Sequence, residues 1–240
     1  MSRLRLNQIP TPAAPASGKV EVYLDSSDGF LKLIKSDGST ARLSQIERGY
    51  SYFRQTGTSP ERWYLAGAVA DAALTSAATV GAKDILRAVP LLEPRGGTLD
   101  RIAIEVVTIG AVSTGTGKAR LGIYTNTSDA NLYPASLVLD CGEVDVLTTG
   151  VKALTIAQAL AANTLYWLVL NHDCDTTDPV LRSISAGAAA GILGIASTFG
   201  TPQGNHWTSA LTYAAMPATF TAGGSVGSGE IPAIGVRYSA

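Results

Sequence analysis

The chain of 240 residues is 46% hydrophobic and only 15% charged, compared with about 25% charged residues in an average soluble protein. Its 18 basic and 19 acidic residues give a net charge of −1, which argues against a nucleic-acid or anionic-membrane partner. The two cysteines, Cys141 and Cys174, have no CxxC motif and predict reduced thiols rather than a disulfide framework.

Residues 1–17 contain three prolines and no hydrophobic periodicity. They are predicted to form an extended anchoring arm that docks on another protein. This start also lacks the apolar segment of a signal peptide. The apolar run at 186–196 is interrupted by three glycines and is shorter than the about 20 residues that span a bilayer. We therefore expect no membrane insertion.

Residues 18–46 predict a small β-meander. Alternating segments at 20–24, 30–34 and 40–43 are separated by Asp-Gly turns at 28–29 and 37–38, and glycine supplies the positive φ that such turns require. A sheet of this size cannot bury its own apolar face. We expect it to oligomerise or to dock on a virion partner.

The remaining chain predicts a connector over 47–65 and a β-sandwich domain, jelly-roll-like, over 66–240. The alanine-rich segment 66–78 fits either a helix or a strand. A candidate strand follows at 84–92, and turn residues then recur about every ten positions. The predicted fold class is all-β.

Period-two alternation is clearest between residues 99 and 170. Ile102, Ile104 and Val106 share one face of a predicted strand, and the segments 119–124 and 151–160 repeat the pattern. In contrast, residues 164–170 are apolar on both faces, which is typical of a central strand that is covered on both sides. Trp167 lies within this strand and is predicted to belong to the core.

Several of these segments resemble a β-sandwich domain of structural proteins from tailed bacteriophages. The matching phrases are GTLDRIAIEV at 97–106, ARLGIYTN at 119–126, YPASLVLDCGEVD at 133–145, TTG at 148–150, LAANTLYWLVL at 160–170 and IPAIGVRY at 231–238. The arm and meander are similar to the virion-anchoring starts of phage fibre-like proteins. These phrases are structural and include no catalytic motif.

The resemblance implies a homotrimer in the virion, assembled in the host cytoplasm. Residues 1–46 would attach to other phage head or tail proteins, and the sandwich would face outward as a fibre, spike or decoration subunit involved in host attachment. We expect no enzymatic activity. The alternatives are a carbohydrate-binding receptor-recognition module and, third, a hydrolase of host surface polymers, for which no carboxylate pair or catalytic triad can be placed.

The segment Ser113 to Lys118 superficially resembles a phosphate-binding loop. However, Val112 stands where the first glycine of that motif belongs, and Ala119 replaces the residue that binds Mg²⁺. We expect a hairpin tip between two strands instead.

The loop from His172 to Asp178 is the densest group of possible metal ligands. Asp173, Asp175 and Asp178 could present carboxylate oxygens to Ca²⁺, although the spacing lacks the glycine and the distal glutamate of an EF-hand. A solvated turn is the alternative. His172 and Cys174 lack the two further ligands of a zinc site. No other cofactor is expected.

Aromatic residues raise the possibility of glycan binding, because their rings stack on apolar sugar faces. The best cluster is Asn205, His206 and Trp207, in a turn-rich passage. Its partner would be a host cell-surface glycan. Trp63 could pack between domains or form a surface platform.

Overall fold

The computed structural model describes residues 8–27, 31–42, 63–67, 74–79, 82–93, 96–128, 131–185, 193 and 204–239. Every regular element within these residues is a strand, so the all-β prediction is confirmed. The chain divides into two units, Met1–Arg54 and Gln55–Ala240, and this division falls inside the segment 47–65 that the sequence assigned to a connector.

The first unit contains one four-stranded sheet in the order β1-β2-β3-β4. Its strands are β1 (Gln8–Ile9), β2 (Val20–Asp25), β3 (Leu31–Lys35) and β4 (Thr40–Arg42). The antiparallel strands β2, β3 and β4 correspond to the predicted meander. β1 comes from the predicted arm and pairs with β2 in parallel, so this part of the arm belongs to the sheet of its own unit.

One of the two predicted Asp-Gly turns of the meander is visible. Gly38 has a φ of +80°, and its amide donates to the carbonyl of Lys35 at 2.9 Å. This left-handed conformation favours glycine because it has no Cβ. The other predicted turn, at 28–29, lies outside the described residues.

The second unit is built from strands β5 to β17. These are β5 (Tyr64–Leu65), β6 (Leu74–Thr79), β7 (Ile85–Glu93), β8 (Gly97–Thr108), β9 (Lys118–Ser128), β10 (Asn131–Asp145), β11 (Gly150–Leu160), β12 (Thr164–His172), β13 (Val180–Ile184), β14 (His206–Ala210), β15 (Ser225–Gly227), β16 (Ile231–Pro232) and β17 (Gly235–Tyr238). β5 lies in the predicted connector. The alanine-rich segment 66–78 fitted either a helix or a strand, and the part of it that belongs to β6 is a strand.

The central strand prediction is confirmed by a six-stranded antiparallel sheet in the order β10-β9-β12-β7-β14-β15. β12 lies between β9 and β7, and every residue from Tyr166 to His172 is buried. Trp167 is 0% exposed, and its indole N–H donates to Oδ1 of Asn126 at 3.1 Å. The predicted core position of Trp167 is therefore confirmed.

A seven-stranded sheet contains the path β16-β13-β8-β17-β5, with β11 beside β8 and β6 beside β13. The predicted inward face of β8 is confirmed, because Ile102, Ile104 and Val106 are at most 2% exposed. β8 and β9, however, lie in different sheets. The predicted hairpin tip at 113–118 is therefore wrong, and this segment crosses from one sheet to the other.

One apolar core lies between the two sheets of the second unit. It joins Leu168 and Leu170 of the six-stranded sheet to Ile104 and Val236 of the seven-stranded sheet. A second cluster covers the opposite face of the six-stranded sheet, where Trp167 packs with Tyr124, Met216 and Phe220. Each fully buried side chain of this size contributes about 1.5–3 kcal/mol to folding. The six-stranded sheet is thus covered on both faces.

Candidate functional site

Two loops that the sequence treated separately lie side by side. Residues 109–117 join β8 to β9, and residues 173–179 join β12 to β13. The Ala111 amide donates to the Thr177 carbonyl at 2.9 Å, and the Thr176 amide donates to the Ala111 carbonyl at 3.1 Å. This isolated bridge connects the inter-sheet crossing to the end of the central strand.

The carboxylate of Asp175 is held by the first of these loops. It accepts hydrogen bonds from the Ser113 amide at 2.6 Å, from the Thr114 amide at 2.9 Å and from both hydroxyls. These bonds, led by the one from the Thr114 hydroxyl, hold the pKa of Asp175 well below its usual value. Asp175 is therefore an ionised acceptor at neutral pH.

Asp173 is held in the same way further along the loop. Its carboxylate accepts from the Thr116 amide and hydroxyl, each at 2.6 Å, and from the Lys118 amide at 2.9 Å. Partial burial opposes ionisation, but the bonds from Thr116 and Lys118 outweigh it and lower the pKa of Asp173. Together with Asp175 it fixes the crossing loop by charge-assisted hydrogen bonds.

This geometry explains the resemblance of residues 113–118 to a phosphate-binding loop. Backbone amides in such a loop form a cradle for an anion. Here the carboxylates of Asp173 and Asp175 are the anions, and Nζ of Lys118 lies 3.6 Å from Oδ1 of Asp145. The amides of the first loop therefore bind carboxylates of the second loop and hold the two loops together.

The same bonds bear on the predicted Ca²⁺ ligands. A Ca²⁺ ion would have to displace the donors that Asp173 and Asp175 already accept, while Asp178 points elsewhere, with Oδ1 3.7 Å from Nε2 of His172. Among the residues that the structure describes, no group of three or more His, Cys, Asp or Glu side chains could hold a metal ion.

His172 and Cys174, the pair weighed for zinc, face the protein interior. Both side chains are 1% exposed, and the Cys174 amide donates to Nδ1 of His172 at 3.3 Å. Burial, together with the neighbouring carboxylates, raises the pKa of the Cys174 thiol to about 11. The thiol is therefore protonated at neutral pH and is a poor metal ligand.

The glycan candidates Asn205, His206 and Trp207 do not form one exposed cluster. The first two are 2% and 4% exposed, and His206 and Trp207 begin strand β14 rather than lying in a turn. Nδ2 of Asn205 donates to the Gly229 carbonyl at 2.8 Å, which leaves its Oδ1 to accept from Nδ1 of His206 at 2.6 Å. The polar atoms of these two residues are thus engaged inside the fold.

Trp207 remains partly exposed on the outer face and has an aromatic neighbour that the sequence did not indicate. Its ring meets Tyr133 edge to face, with ring centroids 5.1 Å apart at 87°. The indole N–H donates to the Gly223 carbonyl at 3.1 Å, and the Tyr133 hydroxyl donates to the Thr221 carbonyl at 2.7 Å. Tyr133 comes from β10, so only the tertiary fold brings the two rings together.

Trp63 is partly buried within the second unit. A Cβ built on Gly235 would lie 3.3 Å from the Trp63 ring, so this ring packs over β17. This contact lies within the second unit, so it shows local packing of the ring and does not test the predicted packing between domains.

Comparison with known proteins identifies no relative. No family model matches the chain, and no curated protein and no solved structure matches it either. Among the described residues, no helix is long and apolar enough to cross a membrane.

Proposed function

We propose that this chain is a structural, non-enzymatic component of a tailed-phage virion, displayed as a fibre, spike or decoration subunit and involved in host attachment. The proposal rests on the resemblance of its strand segments to such proteins and on one structural observation. That observation is an uncovered apolar face on the sheet of the first unit.

The uncovered face follows from the strand register. Val20 and Val22 share it with Leu33, which pairs with Val22, and the two valines are 62% and 49% exposed. The opposite face is buried, with Tyr23 at 2% and Ile34 at 3% exposure. An exposed apolar sheet face is typical of a protein contact surface.

We propose that this face mediates self-association as a homotrimer, with residues 1–46 also docking on other head or tail proteins. A small sheet gains the burial that it lacks when copies pack together. For the second unit we propose a jelly-roll-like β-sandwich, supported by two sheets around one core. The proposed localisation is the virion.

Light scattering of the full-length chain tests the self-association. We expect a particle of three times the 24.8 kDa chain mass and a monomer when Val20→Lys places a charge on the apolar face. Val151→Lys is the matched control, because Val151 is also 62% exposed but lies in the second unit. A monomeric wild type, or equal behaviour of the two variants, would contradict the proposed trimer contact.

Labelling of intact particles tests the virion assignment itself. An antibody raised against the second unit should decorate purified phage at a fixed place on the particle. If particles that infect normally carry none of this chain, the virion proposal is wrong, whatever the oligomeric state in solution.

A second candidate function is a carbohydrate-binding module, favoured by the partly exposed pair of Trp207 and Tyr133. Such a pair offers the apolar platform on which sugar rings stack. Trp207→Ala should abolish binding to host-cell glycans, whereas Trp63→Ala should leave it unchanged. Melting curves identify any loss caused by unfolding, and wild-type binding by folded Trp207→Ala would exclude this site.

A further inference from the structure

Three side chains form a polar row across neighbouring strands of the six-stranded sheet. Arg87 of β7 pairs with Thr208 of β14, which in turn pairs with Ser225 of β15. Residues that pair directly across strands project from the same face of a sheet. On its other side Arg87 pairs with Leu170 of the central core, so the row lies on the core-facing side.

The row runs from the protein interior toward solvent. Arg87 and Thr208 are half-buried, whereas Ser225 is exposed at the strand β15 edge. The Thr208 hydroxyl donates to the Ser225 carbonyl at 3.2 Å, and the two hydroxyl oxygens are 3.4 Å apart. The Ser225 hydroxyl therefore has donor capacity to offer to a ligand at the surface.

Among the residues that the structure describes, Arg87 has no carboxylate partner and its Nε has no hydrogen bond, unlike a typical half-buried cation. Its Nε is buried without a hydrogen bond, and the described part of the chain provides no carboxylate within 4.0 Å of its guanidinium. Burial lowers the pKa of Arg87, although the more distant charge of Asp178 opposes this effect. A desolvated, unpaired charge lowers the stability of the folded state. A bound anion that is missing from the structure is one recognised explanation for such a buried group without a partner.

We propose that Arg87, Thr208 and Ser225 bind an oxyanion group, such as a phosphate, a sulfate or a carboxylate. The guanidinium offers paired N–H donors that match the oxygens of such groups, and the hydroxyls supply further donors on one side. This site is on the opposite face of the sheet from Trp207 and does not depend on the proposed function. The anion can be free in solution or carried by an acidic sugar.

Calorimetric titration of the full-length chain tests the site. Sodium phosphate, sodium sulfate and sodium glucuronate are titrated separately, with sodium chloride holding the ionic strength constant. Saturable binding of the inorganic anions alone assigns a free ion, and tighter binding of glucuronate assigns an acidic sugar. If none of the three binds saturably, the proposal is wrong.

Substitutions locate the binding. Arg87→Met should weaken it by about tenfold or more, since hydrogen bonds to charged groups are lost. Thr208→Val keeps the shape of the side chain but removes its hydroxyl, so it should weaken binding by a smaller factor. Arg101→Met is the matched control, because it removes one half-buried positive charge from the other sheet.

Stability separates a ligand site from a structural role for Arg87. Without an added anion, Arg87→Met should melt at or above the wild-type temperature, because an unpaired buried charge is removed. Sulfate should then raise the melting temperature of the wild type but not of the variant. If Arg87→Met fails to fold, the anion affinities of Arg87→Lys and Thr208→Val test the site instead. Wild-type anion affinity in both variants would overturn the proposal.

Discussion

The buried imidazole of His206 makes the stability of the second unit depend on pH. This side chain is 4% exposed, and burial, together with the positive charge of Arg87, lowers its pKa from 6.5 to about 4. The folded protein therefore keeps His206 neutral, whereas an unfolded chain would bind a proton below pH 6.5. Between these two values the unfolded state binds more protons, so stability must fall as pH falls.

The lowered pKa of His206 sets the size of this effect. A pKa that is lower by one corresponds to about 1.4 kcal/mol, so the folded state loses about 2 kcal/mol by pH 5 and about 3 kcal/mol by pH 4 relative to pH 7.5. This loss is a large fraction of the about 5–15 kcal/mol that stabilises a typical domain. Lowering the pH should therefore change the unfolding midpoint clearly.

Urea unfolding at several pH values, followed by tryptophan fluorescence, measures this loss. All three tryptophans, Trp63, Trp167 and Trp207, lie in the second unit and monitor its unfolding alone. His206→Asn keeps a donor near Oδ1 of Asn205 but cannot be protonated. We expect the gap between wild type and variant to close, or to reverse, as pH falls from 7.5 to 4.5. Parallel curves for the two proteins would refute the assigned role of His206.

Two further perturbations test the packing around these loops and strands. Asp173→Asn should destabilise the second unit by about 1–3 kcal/mol, since an amide N–H would face the Thr116 and Lys118 donors. Asp178→Asn is the charge-matched control. Ca²⁺ at millimolar concentration should not raise the wild-type melting temperature. Gly227→Ala should lower the free energy of unfolding by about 1–3 kcal/mol, because the new Cβ would lie 2.1 Å from the His206 ring. Gly229→Ala is the control, because a Cβ there meets nothing within 4 Å. Equal urea midpoints for the two alanine variants would contradict this close contact with His206.

The sequence predicted the strands well because their pattern is local. Alternation at Ile102, Ile104 and Val106 indicates which face is buried, and the unbroken apolar run around Trp167 indicates a strand that is covered twice. Both patterns extend over fewer than about ten residues and depend only on the period of an extended chain. Neither depends on which strands become neighbours.

The sheet assignment of β8 and β9 could not be predicted in this way. Successive strands usually pair, so a glycine-rich segment between them suggests a hairpin. The bonds that determine the actual path come from Asp173 and Asp175, which are distant in sequence from Ser113 and Thr116. The sequence indicated the two carboxylates as possible metal ligands and the loop at 113–118 as similar to an anion-binding loop. Only the tertiary structure shows that these carboxylates accept the hydrogen bonds that this loop donates.

The proposed anion site and the titration of His206 must influence each other. An oxyanion beside Arg87 offsets the positive charge that helps to lower the pKa of His206, so it should raise that pKa toward its ordinary value. By linkage, protonation of His206 must tighten anion binding by the same factor. Sulfate affinity should therefore rise as the pH falls from 6 to 4, where His206 of the folded protein takes up its proton, and it should stay constant in His206→Asn. Sulfate is the suitable probe because its own charge does not change over this range. An affinity that is independent of pH in the wild type would show that the anion binds too far from His206 to involve Arg87.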